Sequence, residues 1–194
     1  MKKIIVALFL ILSLVICLPA CNENQTVAEN PKFEGFNAMF RQSFSNYVIE
    51  ITTQSANDYS VSEKYTVTTD ENGERSVAYR IEQLNAFEIG ENGVIIPNDY
   101  ISVSEGVYDS SKSANTRFNV PAFKFSYTCL SKSDVIIGNS YSTEITSLQK
   151  FMGVDIAVTN ARVNLYYTGN TVKSIEISYV TDAGNNVVLT YTFN

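Results

Sequence analysis

Long runs in which apolar and polar residues alternate with a period of two constrain this chain more than any other feature. A strand with one buried face reads this way, because successive side chains point to opposite sides of a sheet. Tyr47, Ile49 and Ile51 alternate with Val48, Glu50 and Thr52; Val61, Tyr65 and Val67 with Ser62, Lys64, Thr66 and Thr68; Val77, Tyr79 and Ile81 with Ser76, Ala78, Arg80 and Glu82. The same pattern returns in Phe123, Phe125, Tyr127 and Cys129 after Pro121, then from Ala157 or Thr159 to Tyr167, Val172 to Tyr179 and Val187 to Phe193. Asp70-Glu71-Asn72-Gly73-Glu74, Thr168-Gly169-Asn170 and Asp182-Ala183-Gly184-Asn185-Asn186 supply turns between neighbours, with Asn-Gly suited to the positive φ of a tight hairpin. Short connections between sequential strands make the sheet antiparallel.

Two segments break the period. Phe33, Phe36, Met39, Phe40 and Phe44 share one helical face, with Glu34 early and Arg41 late to suit the macrodipole. Ser142-Thr143-Glu144 followed by Ile145, Leu148, Phe151, Met152 and Gly153 reads as a second short helix with both ends signalled. Between residues 84 and 120, short strands are expected near Gly93-Val94-Ile95-Ile96 and Ile101-Ser102-Val103, and residues 109–116 read as an exposed loop. The expected fold is α+β: a curved, mainly antiparallel sheet, open like an unclosed barrel, with two short helices packed on it. Both ends run from one helix into a three-strand meander without a residue-level repeat, so a duplication and a chance recurrence of a common unit both account for the order.

Chemistry is bounded by what the 194 residues lack. With no histidine and three cysteines, Ser-His-Asp and Cys-His catalysis and the usual zinc sites are excluded, and no other catalytic constellation stands out. A net charge of −6 argues against nucleic acid as a partner. Asp70-Glu71-Asn72-Gly73-Glu74 is a hairpin tip without the ligand ladder of a calcium loop, and Gly90-Glu91-Asn92-Gly93 lacks the helix and Lys-Ser/Thr of a phosphate loop. No metal or cofactor is expected, and the chain is not expected to be an enzyme. Cys129 falls on an apolar face and reads as a buried, inert thiol.

The first residues give an address. Lys2 and Lys3 precede an apolar run interrupted at Ser13 and ending in Leu18-Pro19-Ala20-Cys21, too short for a spanning helix and suited to export. Leu18-Pro19-Ala20-Cys21 resembles the lipobox of bacterial lipoproteins. That resemblance implies a diacylglycerol thioether on Cys21, cleavage just before it, and stable membrane attachment through more than one acyl chain. The domains expected are a signal peptide over residues 1–20, a lipid-anchored flexible tether over 21–32, and a single α+β domain over 33–194. Cleavage leaves 12 basic against 20 acidic residues, a charge of −8, so the body is expected to be held off anionic lipid. The location implied is the outer face of a bacterial cell membrane, or an outer membrane where the organism has one. Cleavage also removes Cys17 and acylation consumes Cys21, leaving no pair for an intramolecular disulfide.

Tyrosines and phenylalanines on the strand faces are the remaining functional signal. Tyr65, Tyr79, Phe123, Phe125 and Tyr127 are the candidate ligand-facing residues, since a tyrosine joins a large apolar area to a polar tip. Core packing is the commoner use of such residues and is favoured here. Lipobox, tether, opening helix and curled strands together resemble, in outline, the lipid-carrier domains of the LolA and LppX type, which hold acyl chains between sheet and helices. The function expected is a membrane-anchored, non-catalytic binding protein for a lipid, peptide or small amphiphile. The alternative is an interaction module that contacts another envelope protein and has no pocket.

Overall fold

The computed structural model describes residues 30–55, 59–84, 86–89, 92, 95–98 and 102–194. The residues expected to form a signal peptide, a lipobox ending at Cys21 and most of a tether, together with Gly93, Val94 and Ile101, lie outside the described residues. Among the described residues no helix is long and apolar enough to cross a membrane.

The chain enters through α1 (Pro31–Met39), then β1 (Tyr47–Gln54), β2 (Ser60–Thr69) and β3 (Arg75–Leu84). A separate two-stranded ribbon, β4 (Ala86–Ile89) with β5 (Ile95–Asn98), precedes β6 (Ser102–Val107). After a short helix α2 (Ser110–Ser113) and a 3-10 turn at Thr116–Phe118 come β7 (Val135–Ile137), β8 (Ser140–Glu144), α3 (Leu148–Met152), β9 (Val158–Thr168), β10 (Thr171–Thr181) and β11 (Asn186–Phe193).

Nine strands form one antiparallel sheet in the order β6-β3-β2-β1-β11-β10-β9-β8-β7. Twist of about 20° per neighbouring pair, accumulated along this row, curls the sheet into a concave inner face, and β6 and β7 remain as unjoined edges. The two expected meanders meet where β11 pairs with β1, Tyr47 opposite Phe193 and Ile51 opposite Leu189. This arrangement is incompatible with a tandem duplication. Mapping β1-β2-β3 onto β9-β10-β11 keeps their order across the sheet but reverses the strand direction, and a proper rotation that does so also exchanges the faces. Yet Phe36 of α1 and Phe151 of α3 both pack on Phe125, on the same face of the sheet.

The core lies between that face and α1. Phe33, Phe36 and Met39 are buried, and Phe36 meets Tyr141 of β8 at 4.9 Å and Tyr167 of β9 at 5.4 Å between ring centroids. The helix begins earlier than expected: Asn30 caps it, its side chain accepting from the Lys32 backbone N–H at 3.2 Å, and Pro31 sits where its fixed φ suits the first turn. Residues 30–32, expected to lie in the tether, are part of the folded body. Lys32 forms an ion pair with Asp134, and Asn30 Nδ2 donates to Tyr127 Oη at 3.1 Å. Phe44, expected on the helix, lies beyond its end.

The segment holding Phe123, Phe125 and Tyr127 is the largest departure from expectation, because it alternates yet pairs with no strand. At its centre the backbone finds other partners. Phe125 N–H donates to Asn37 Oδ1 at 2.8 Å, Asn37 Nδ2 donates to the Phe125 carbonyl at 3.0 Å, and Lys124 N–H donates to the Phe151 carbonyl at 2.8 Å. The carboxamide of Asn37 thus offers the donor and acceptor that a strand neighbour would supply, and the alternation reflects a segment sandwiched between α1 and α3.

The second helix is shorter than expected. Tyr141 and Thr143 are buried while Glu144 is exposed, so residues 140–144 keep a period of two and form β8. Ser147 is the true N-cap of α3, accepting from Lys150 N–H at 3.3 Å, and Gly153 ends it at φ +79° as expected. Residues 109–116 are not simply a loop, since Asp109 caps α2 and Asn115 caps the following 3-10 turn. The hairpin after β2 is as expected: Gly73 has φ +82°, and the Asp70 carboxylate accepts from the N–H groups of Asn72 and Glu74 at 2.9 and 2.7 Å. The Asp70 carboxylate thus serves the turn. Cys129 is buried, its thiol donating to the Lys124 carbonyl at 3.0 Å.

Candidate ligand cleft on the inner sheet face

Burial of the inner face is uneven along the strands. On β1 the inward residues pass from buried Tyr47 and Ile49 to half-buried Ile51 and Thr53, and on β2 from buried Val67 and Tyr65 to half-buried Glu63 and Val61. The end near Tyr47 lies beneath the aromatic cluster centred on α1, whereas the described residues place two flaps over the opposite end. One flap is residues 116–121, the other Met152, Gly153 and Val154 after α3.

Between the flaps is a cleft of about 670 Å³. Ile49, Ile51, Tyr65, Leu189 and Tyr191 form its floor, with Phe118, Pro121, Met152 and Val154 at the sides and Glu63 and Arg117 as its charged groups. Strand register explains the floor, since Ile81, Glu63, Ile51, Leu189 and Ile177 form one inward row across β3, β2, β1, β11 and β10. Glu63 is the only ionisable member of that row. It accepts a hydrogen bond from Tyr65 Oη. Burial, followed by the hydrogen bond and negative charge of Glu63, pushes the Tyr65 phenol above its ordinary pKa. Burial likewise raises that of Tyr191.

Arg117 is placed by the turn that carries it. Asn115 Oδ1 accepts from Arg117 N–H at 3.0 Å, and the guanidinium lies 4.4 Å from the Phe118 ring centroid and 5.4 Å from that of Tyr65. Its Nη2 donates to Tyr108 Oη at 3.0 Å, and among the described residues no carboxylate lies within salt-bridge distance of it. An apolar floor with one acceptor and one donor is suited to a molecule with an apolar body and a polar end that both donates and accepts. A second hollow, about 350 Å³ on the outer face, is lined by Glu50, Lys64, Arg80 and Glu82. Its charges already pair with one another, Lys64 with Glu50 at 2.9 Å and Arg80 with Glu82 at 2.7 Å, and it lacks an apolar floor. Among the described residues no three His, Cys, Asp or Glu side chains gather in a way that could hold a metal ion.

The five aromatic candidates do not form one site. Tyr65 lines the cleft. Tyr79 stands behind it, stacked on Tyr108 at 4.5 Å, and its ring lies so close over Gly106 of β6 that an added Cβ there would meet it at 3.1 Å. Phe123, Phe125 and Tyr127 belong to the α1 cluster: Phe125 has no exposed surface, Phe123 packs on Phe151 at 5.5 Å, and Tyr127 meets Phe33 edge-on at 4.8 Å. Their placement on a strand of the sheet is corrected, because the segment pairs with no described strand, while the core use favoured from the sequence is what their packing against α1 and α3 gives. Cys21 is outside the described residues.

Alternation alone passes over Glu63 and Arg117. Glu63 did carry a signal, an acid in the apolar phase of β2 between Val61 and Tyr65. Arg117 carried none, because only the fold brings the 3-10 turn over the β2 face.

No protein-family model and no curated protein matches the chain. Among solved structures, a de novo designed fluorescence-activating β-barrel is similar at 10% identity, with 76% of this chain and 91% of that one covered and a TM-score of 0.20. A TM-score that low carries no argument about fold or ligand.

Proposed function

We propose that the chain is an extracytoplasmic lipoprotein, tethered to a membrane through Cys21, that binds a small amphiphile in the inner-face cleft without catalysing a reaction on it. The cleft carries the reading: an apolar floor of Ile49, Ile51, Leu189 and Tyr191 with a carboxylate and a guanidinium at hand. The apolar part of the ligand lies along the floor and its polar end between Glu63 and Arg117. A lipid fragment or a short apolar peptide fits that description. The lipobox-like Leu18-Pro19-Ala20-Cys21 supports the address.

Two experiments test the two halves. Cys21→Ala should leave an unprocessed or mislocalised precursor, and normal maturation with unchanged membrane retention would refute the anchor. Mass spectrometry of gently purified protein should find a recurrent amphiphile released on denaturation. A stoichiometric protein partner with no small molecule would favour the interaction module.

A further inference from the structure

The edge strand β7 presents Val135, Ile136 and Ile137 in succession, 51%, 49% and 73% exposed. Val135 and Ile137 share the outer face, and the register through β8 sets Ile137 in one row with Ser140 and Tyr166 of β9, itself 44% exposed. Gly138, at φ +56°, turns the chain between β7 and β8, so the apolar residues stand beside the turn of the hairpin that ends the sheet. An exposed apolar edge of this kind invites a partner.

The start of the folded body identifies that partner. Lys32 is paired with Asp134, the residue immediately before β7, and Asn30 is held by Tyr127. The chain therefore enters α1 beside the β7–β8 hairpin. Only residues 22–29 separate Asn30 from Cys21, a reach of at most about 30 Å when fully extended. Charge fits as well: from Leu130 to Thr143 the charged residues are Lys132 and Asp134 alone, and Asp134 is already neutralised by Lys32. The net charge of −8 counts Glu23 and Glu29 of the linking segment together with the body, and most of the body's acids lie away from this corner in the sequence, so the expectation that the whole body is held off the membrane does not apply here.

We infer that the β7–β8 hairpin docks on the lipid surface beside the anchor, with Val135 and Ile137 entering the boundary between headgroups and acyl chains and Tyr166 at headgroup level. This inference rests on the reading of Cys21 as the site of lipid attachment. A surface of zwitterionic lipid suits it best, because anionic lipid would repel the rest of the body.

The test uses the full chain, expressed in a lipidating bacterial host and reconstituted in phosphatidylcholine vesicles. An environment-sensitive dye is attached at Ile137→Cys or, as control, at Val107→Cys on the opposite edge of the sheet, 66% exposed. Both positions tolerate replacement because they are exposed, and buried Cys129 is shielded from labelling. Flotation with the vesicles, a blue shift of the dye at position 137 but not 107, and quenching of that dye by lipid-borne quencher are expected. Flotation with a wet, unquenched dye at position 137 overturns the docking alone. Failure to float overturns the anchor reading and the docking with it. A blue shift that needs no vesicles and grows with protein concentration overturns the docking in favour of pairing between copies.

Discussion

The two ends of the inner sheet face are built from similar residues and put to different uses. At the Tyr47 end, Phe33, Phe36, Phe123, Phe125, Tyr141 and Phe151 pack edge-on and tilted against one another, all at 5% exposure or less. At the other end, Ile51, Glu63 and Val61 stand half-buried beneath two flaps. What differs is the cover. A nine-residue helix about 14 Å long cannot roof a nine-stranded sheet, and the part left over becomes a cleft.

Phe125→Asp should break the comparison most forcefully. A carboxylate without a partner in the fully buried cluster should cost about 4 kcal/mol or more and leave no cooperative melt. A folded variant would show that the α1 end is as open as the cleft.

Asn37→Leu asks whether one side chain stands in for a strand. It removes both hydrogen bonds to the Phe125 backbone and leaves an amide and a carbonyl unsatisfied. A loss of about 2 kcal/mol is expected, read as a fall in melting temperature of about 6 °C, with Asn37→Asp retaining part of the loss because it keeps an acceptor.

Alkaline pH acts on both ends together. Burial raises the phenols of Tyr47, Tyr65, Tyr141, Tyr179 and Tyr191, so these groups hold their protons in the folded state after the unfolded chain has released them. Their contribution to stability is complete below the ordinary phenol value of about 10 and is lost as pH rises beyond it toward the raised values. Denaturation midpoints followed from pH 8 upward should therefore fall only above about pH 10. Midpoints that stay level well above about pH 10 would mean that these tyrosines are not buried as described.

Glu63→Gln is expected to have the smallest effect on stability. The amide oxygen can still accept from Tyr65 Oη, so the cost is about 1 kcal/mol or less, while the preference of the cleft for a donating polar end should weaken. A large loss of stability would make Glu63 a structural residue and not part of a binding site.

The strands were legible in the sequence because period-two alternation is a direct consequence of one-sided burial. It identified β1, β2, β3, β9, β10 and β11, and Asn-Gly identified the hairpin at residues 70–74. It failed at Phe123 and Phe125 because a segment pressed between two helices also buries alternate residues without pairing. It failed at Ser142-Thr143 because polar residues that fit a helix cap also fit the outer face and the hydrogen-bonded interior of a short strand. Which end of a sheet face is roofed depends on contacts between residues far apart in the chain, such as Asn37 with Phe125. Strand periodicity does not encode these contacts, so the cleft emerged only in the folded structure.

The most direct test of the cleft is a titration of the parent protein and Ile51→Asp with an apolar, environment-sensitive dye, each accompanied by a thermal melt. Ile51 is half-buried on the cleft floor, so its charged replacement remains partly solvated, and the variant should melt as a folded protein. The parent should bind the dye saturably, and Ile51→Asp should bind about tenfold or more weakly, a difference of about 1.4 kcal/mol or greater. A parent that binds no dye, or a folded Ile51→Asp that binds it as the parent does, would contradict the assignment of the cleft as a binding site.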